Sequence, residues 1–244
     1  MYSFLLKPRW LAALVFTTSV VVVFILLGNW QLERHEELRL DNQIRATRLA
    51  AEPLELGAML DAAGPSIDSL AYRRATVEGT FDPESEIFVR NQVDDGSAGF
   101  HVITPLETAT GTLLVNRGWV PLAAERPPVS EAPPPEGEVE VEVLVRLSEE
   151  RPRFGRVEPE GRLTVVNRID LDRLDQQFED LMPVWGQLVT EEPGLPRELD
   201  VPTFDDDGPH LEYALQWYAF AVIAVGGAVF LIRSTAKKPG RGEA

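Results

Sequence analysis

His210 is the residue of this sequence best placed to do chemistry. It follows Gly208-Pro209 and precedes Leu211-Glu212-Tyr213. With Pro209 at a first helical position and Asp or Gly as cap, the imidazole lies in the first turn of a helix. The positive end of that helix favours the uncharged ring, which is the form that binds iron. His210, Ala214, Trp217 and Ala221 fall on one helical face at i, i+4, i+7 and i+11. The two alanines leave room beside Trp217 for a flat apolar ligand such as a haem edge. The competing reading is an interfacial histidine bonded to a carboxylate such as Glu212, or to the other apolar helix. A lone histidine is not a ligand set.

Other chemistry is thinly represented. His35 and His101 are the remaining histidines, and there is no cysteine. Disulfides, thiol nucleophiles, iron–sulfur ligation and Cys-x-x-Cys metal carriage are therefore excluded. No Gly-x-Ser-x-Gly or His-Glu-x-x-His pattern occurs, and the carboxylates are scattered. His101 lies in an extended pattern, Gly99-Phe100-His101-Val102-Ile103-Thr104, where a structural role is expected. The sequence points away from an enzyme.

The element that must position His210 is apolar. Tyr213 to Ile232 is twenty residues without a charge, bounded by Glu212 and Arg233. At 1.5 Å per residue it covers the ~30 Å hydrocarbon core of a bilayer. Tyr213, Trp217 and Tyr218 stand where headgroups meet acyl chains. A second run, Trp10 to Leu32, is 23 residues without charge, between Arg9 and Glu33. It is too long for the core of a cleaved signal, and Leu26-Leu27-Gly28-Asn29-Trp30 offers no small-x-small site, so a retained span is expected. Trp30 to Leu38 carries that helix into water, with Glu33 or Glu36 paired to arginines one turn on.

The expected architecture is two transmembrane α-helices flanking a mostly antiparallel β external domain, barrel- or sandwich-like, with short helices. Its parts are a cytoplasmic segment (1–9), the first span (10–32), a helical extension and connector (33–70), the β-rich domain (71–208), the second span (209–232) and a basic tail (233–244). Strands are expected over Tyr72–Phe81, Glu86–Val93, Gly99–Leu106, Thr112–Val120, Val139–Leu147, Leu163–Asn167 and Val184–Thr190, separated by Gly, Asp and Pro. Glu138 to Val143 alternates strictly, so one face is buried and the other wet. Leu54–Ala63 and Asp170–Glu179 read as helices, the latter capped by Asp170. Pro121 to Gly137 holds six prolines and reads as an extended connector; Glu191 to Gly208 reads as a second linker.

Net charge is −16, but it is unevenly spread. Lys7 and Arg9 precede the first span, and Arg233, Lys237, Lys238 and Arg241 against Glu243 follow the second, which leaves the middle strongly acidic. The basic flanks predict both termini in the cytoplasm and the central domain outside it; the long proline loop and high acid content fit a bacterial cell membrane. The acidic middle would repel phosphates, so nucleic acid is not a partner.

Five ordered motifs carry a resemblance. They are Gly28-x-Trp30-Gln31-x-x-Arg34; Glu78-Gly79-x-Phe81; Gly99-Phe100 with Thr104-Pro105-Leu106; Val115-Asn116-Arg117-Gly118-Trp119-Val120-Pro121; and His210-Leu211-x-Tyr213-Ala214-x-x-Trp217-Tyr218. The set resembles the Surfeit locus protein 1 family, called Shy-type in yeast, over nearly the whole chain. The resemblance implies a two-span assembly factor for haem-copper cytochrome c oxidase that meets subunit I and other assembly factors, with no turnover of its own. It also implies haem a held for insertion, with His210 as iron ligand and Trp217, Tyr213 and Arg34 around the cofactor. Trp30, Gln31, Arg117 and Tyr218 are the expected partner contacts, and Arg34 or Arg117 the groups for haem propionates. Members often carry Asn where this chain has Pro209, which removes a donor and stiffens the helix start. Gly118 and Trp119 are expected to be structural. A cofactor-free membrane scaffold or sensor is the alternative.

Overall fold

The computed structural model describes residues 3–149, 158–189 and 196–236. In chain order its elements are α1 (Pro8–Leu49), β1 (Leu54–Glu55), α2 (Leu56–Ala63), β2 (Arg74–Phe81), β3 (Ile87–Asp94), β4 (Ser97–Thr108), β5 (Gly111–Pro121), β6 (Glu138–Leu147), β7 (Val165–Val166), α3 (Leu171–Leu174), β8 (Leu181–Leu188) and α4 (His210–Ala236). The chain divides into two compact units, residues 1–44 with 204–244, and residues 45–203.

The first unit is a helix pair. Both expected spans lie inside single unbroken helices, α1 and α4, each long and apolar enough to cross a membrane. Their side chains are mostly outward: Phe16, Val22, Leu26, Ile223 and Phe230 are all exposed. In water such a surface would cost about 25 cal/mol per Å². A bilayer removes that cost, and the pair fits a two-pass membrane protein. Arg233 stands in the last turn of α4; Lys237, Lys238, Arg241 and Glu243 of the expected basic tail lie outside the described residues. In water-facing α1, Glu36 pairs with Arg39 at 2.8 Å, as helical spacing predicts.

The second unit is a closed β barrel. β2, β6, β8, β5 and β4 follow one another, and Phe81↔Leu106 joins β4 back to β2. All these ladders are antiparallel except β5–β8, which is parallel. Alternation fills the interior. Ala75, Val77, Val115, Val143, Val145 and Val184 share one core with Leu56 and Met59 of α2. Residues between them face the other way: Leu114 and Trp185 join a second cluster with Ile87, Ile103, Ile169 and Leu174. In β6 the wet face holds Glu142, which is ion-paired to Arg74 of β2. β3 leaves the ring to pair with the first half of β4 and, in parallel, with β7.

Four expectations change at the residue level. Leu54–Ala63 is not helical throughout: Leu54 and Glu55 form β1, and the helix begins at Leu56. Glu55 is the reason, since its carboxylate accepts from the N–H of Gly57 (2.7 Å) and Ala58 (2.6 Å) and caps α2. The helix expected over Asp170–Glu179 stops at Leu174. Asp170 does cap it, but Gln177 turns away to bond both backbone groups of Leu163. The Pro-rich stretch is no free connector. Val129 and Ala132 are buried against Phe88, Val102 and Val120, so this stretch is packed onto the domain. The last expected strand runs Leu181–Leu188 rather than Val184–Thr190, and Thr190 is outside the described residues.

Candidate functional site

Aromatic contacts, one close glycine and several hydrogen bonds define the seam between α1 and α4 with the residues just before α4. Phe24 lies against Trp217 and Phe220, with ring centroids 5.6 and 5.8 Å apart. Gly28 is buried, and a Cβ there would stand 2.7 Å from the Tyr218 ring. The Tyr218 hydroxyl donates to Asn29 Oδ1 at 2.7 Å. Toward the end of the seam, Asn42 Nδ2 donates to the Asp206 carbonyl (3.0 Å) and Asp207 Oδ1 (3.2 Å). Apolar packing therefore gives way to polar bonds along the helix pair. That change is what a passage from acyl chains to an aqueous rim requires.

His210 sits in the polar part of this seam. Its Nδ1 lies 2.8 Å from Oε1 of Gln31. With the amide oxygen as the facing atom, which can only accept, the tautomer that fits carries its proton on Nδ1 and its lone pair on Nε2. The expected alternative of a bond to the first helix is thus the geometry found, and it leaves the metal-binding nitrogen unengaged. Gly208 flanks that edge of the ring: a Cβ at 208 would come to 3.7 Å from Nε2, so glycine keeps the approach bare. An iron ligand fits here. The flat slot expected beside Trp217 does not. Ala214 and Ala221 are the buried residues of α4, and Phe24 of α1 lies against Trp217 with its ring tilted by 30°, so α1 covers that face.

The remaining rim residues are arranged as follows. Trp30 and Tyr213 are exposed. Arg34 is exposed too, and bonds Glu37 one turn on at 3.1 Å. Gln31 is turned to His210 and Tyr218 to Asn29, both within the helix pair.

Arg117 lies in the β barrel and in its interior. The ladder between β4 and β5 slips by one residue: Val102 faces Gly118 and Ile103 faces Asn116. That bulge leaves Arg117 without a partner in β4 and re-aims its side chain. Its Nη2 donates to Glu86 Oε2 (2.8 Å) and to the Ala132 carbonyl (3.0 Å), and its Nε to Thr104 Oγ1 (2.7 Å). Thr104 donates onward to Glu86 at 2.8 Å, and the other Glu86 oxygen accepts from Val129 N–H at 2.8 Å. Side-chain exposure is 5% for Arg117 and 1% for Glu86. With three of its N–H groups bonded inside the fold and only 5% of the side chain exposed, this guanidinium is closed to a propionate or a partner arriving from solvent. Its task is to tie the Pro-rich stretch to the barrel. No periodicity in the sequence pairs Glu86 with Arg117; only the bulge brings them together.

Beside it the structural readings hold. Gly118 has φ +134°, and a Cβ there would run into the Arg197 carbonyl. Trp119 is buried and bridges Arg197 through both backbone groups at 2.7 Å.

His101 borders a 320 Å³ cavity with Asn116, Asp94 and Gln187. Burial pushes its imidazole down from 6.5 to about 4, against the opposing pull of Asp94. The unfolded chain therefore binds the extra proton first. The resulting stabilisation is complete above pH 6.5, shrinks as pH falls and is gone near pH 4, a span worth about 3 kcal/mol. Comparing wild type with His101→Asn across pH 4–7 isolates this slope from that of the carboxylates. Equal slopes in the two proteins would refute the assignment.

The SURF1 family model matches residues 18–222. The chain belongs to the SURF1 family. A SURF1-like protein of Mycobacterium tuberculosis is 30% identical over 230 residues, covering 91% of this chain and 83% of the relative. Surfeit locus protein 1 of Takifugu rubripes is 31% identical over 224 residues (79% and 85%), and that of Homo sapiens 29% over 227 residues (80% and 69%). The match to the SURF1 model takes in Gln31, the barrel with Arg117, and His210, so the features described above lie in the part shared with the family.

Proposed function

We propose that this protein is a membrane-anchored assembly factor for haem-copper cytochrome c oxidase that holds haem a through His210 for delivery to subunit I. It is not an enzyme in this reading. The observation that carries it is the Gln31 bond to Nδ1, which leaves Nε2 unprotonated at the edge of the bilayer. Haem a supplies the redox-active iron of the oxidase; the chain's own residues bind and orient it. His210 holds the iron, exposed Tyr213 and the uncovered edge of half-buried Trp217 offer apolar ring surface, and exposed Arg34 is a guanidinium for a propionate. Trp30 is exposed for contact with subunit I and other assembly factors. Lys7, Arg9 and Arg233 lie at the span ends away from His210, and this charge bias supports a β domain outside the cytoplasm of a bacterial cell.

The closed slot at Ala214 and Ala221 favours a second reading, a scaffold without cofactor. Absorbance decides between them. Full-length protein from cells that make haem a is expected to show a Soret band that disappears in His210→Ala, with oxidase activity in a deletion strain restored by the wild type alone. A colourless wild type that still co-purifies with the oxidase selects the scaffold.

A further inference from the structure

Among the described residues, Gln31 is the one side chain bonded to the imidazole of His210, and it comes from the other helix. Pro209 has no N–H to offer, and the Gly208 N–H is bonded to Asp206 Oδ1 at 2.7 Å. On α4 itself the neighbouring carboxylate is Glu212, one turn's edge away, and no bond joins it to the ring; from α1 the group facing Nδ1 is the Gln31 amide.

We propose that Gln31 is the positioning residue that sets which nitrogen of His210 is free, so that ligation by His210 depends on the pairing of the two spans. This rests on the haem reading for its biological use, though not for its chemistry. A histidine ligand is held in one tautomer by the partner of its other nitrogen, and losing that partner costs 10–100-fold in affinity. Here the partner belongs to α1. Any event that draws α1 from α4, such as docking of an oxidase subunit between them, removes the acceptor from Nδ1. The proton is then no longer confined to Nδ1, and the iron-binding nitrogen is lost to a fraction of the molecules. The competence of the unliganded ring to bind iron thus follows from one hydrogen bond. The packing around it is compatible with such a device: the seam is polar at this level and apolar only toward Phe24 and Trp217.

The tautomer is measured directly in full-length, haem-free protein carrying 15N-histidine in detergent micelles, with the His210 signals identified by their loss in His210→Ala. In the wild type the Nδ1–H form dominates the neutral ring. Gln31→Leu yields a mixture of tautomers, and Gln31→Glu restores the Nδ1–H form. Asn29→Ala removes the neighbouring interhelical bond of Tyr218 and leaves the tautomer as in the wild type, which separates positioning from general loosening of the pair. Titration with haem a then gives a dissociation constant raised about 10–100-fold in Gln31→Leu and a midpoint potential lowered in Gln31→Glu, whose carboxylate is the stronger acceptor. An unchanged tautomer in Gln31→Leu, or an equal change in Asn29→Ala, overturns the proposal. A wild type with a fixed tautomer that takes up no haem a sinks the haem reading instead.

Discussion

Arg117→Leu is expected to destabilise the β barrel by about 3–5 kcal/mol. The reason is what remains behind. Glu86 is 1% exposed, and without the guanidinium its carboxylate keeps bonds only from Thr104 and Val129. An uncompensated charge in that position must be neutralised or drawn to water, and either path pulls the Pro-rich stretch off Phe88 and Val120. Glu86→Leu strands Arg117 in the same way and is expected to cost a similar amount. The double variant Arg117→Leu/Glu86→Leu buries no charge and recovers most of the loss. Denaturant unfolding of the full-length chain in micelles, followed by the fluorescence of buried Trp119 and Trp185, reads all three. A double variant no more stable than either single one would show that the pair's charge is not the source.

The second large effect is expected at Gly28. A Cβ there stands 2.7 Å from Cε1 and 2.8 Å from Cζ of Tyr218, so Gly28→Val must displace the ring or part the helices. Overpacking of this kind costs about 1–3 kcal/mol, roughly a 5- to 150-fold fall in the ratio of paired to parted helices. The Tyr218–Asn29 bond goes first, and the Gln31–His210 bond follows because it spans the same seam. Oxidase activity restored to a deletion strain by Gly28→Val should fall with the paired fraction. The contrast lies within α4: nothing stands within 4 Å of a Cβ at Gly226 or Gly227, and their alanine variants should behave as the wild type or slightly better. If Gly28→Val and Gly227→Ala act alike, close helix packing is not what the glycine provides.

Much of this molecule is legible along the chain because it depends on neighbours in sequence. Two uncharged runs long enough for a bilayer set the spans, and period-two alternation from Arg74 to Leu188 sets the barrel strands and which of their faces are dry. Even the helix register that puts His210, Ala214, Trp217 and Ala221 on one face is local. What that face meets is not local. The same alternation allows a sandwich as readily as a barrel, and ring closure by Phe81↔Leu106 is a pairing between residues far apart. The bulge that turns Arg117 inward comes from a one-residue slip against β4, invisible in the spacing of β5 alone. The alanine face that promised a slot is covered by the other helix, with Phe24 against Trp217, and the tautomer of His210 is decided by Gln31, 179 positions away. Composition and periodicity report where a side chain points relative to its own backbone; which partner waits there is settled only when segments distant in the chain compete for the same space and the same hydrogen bonds.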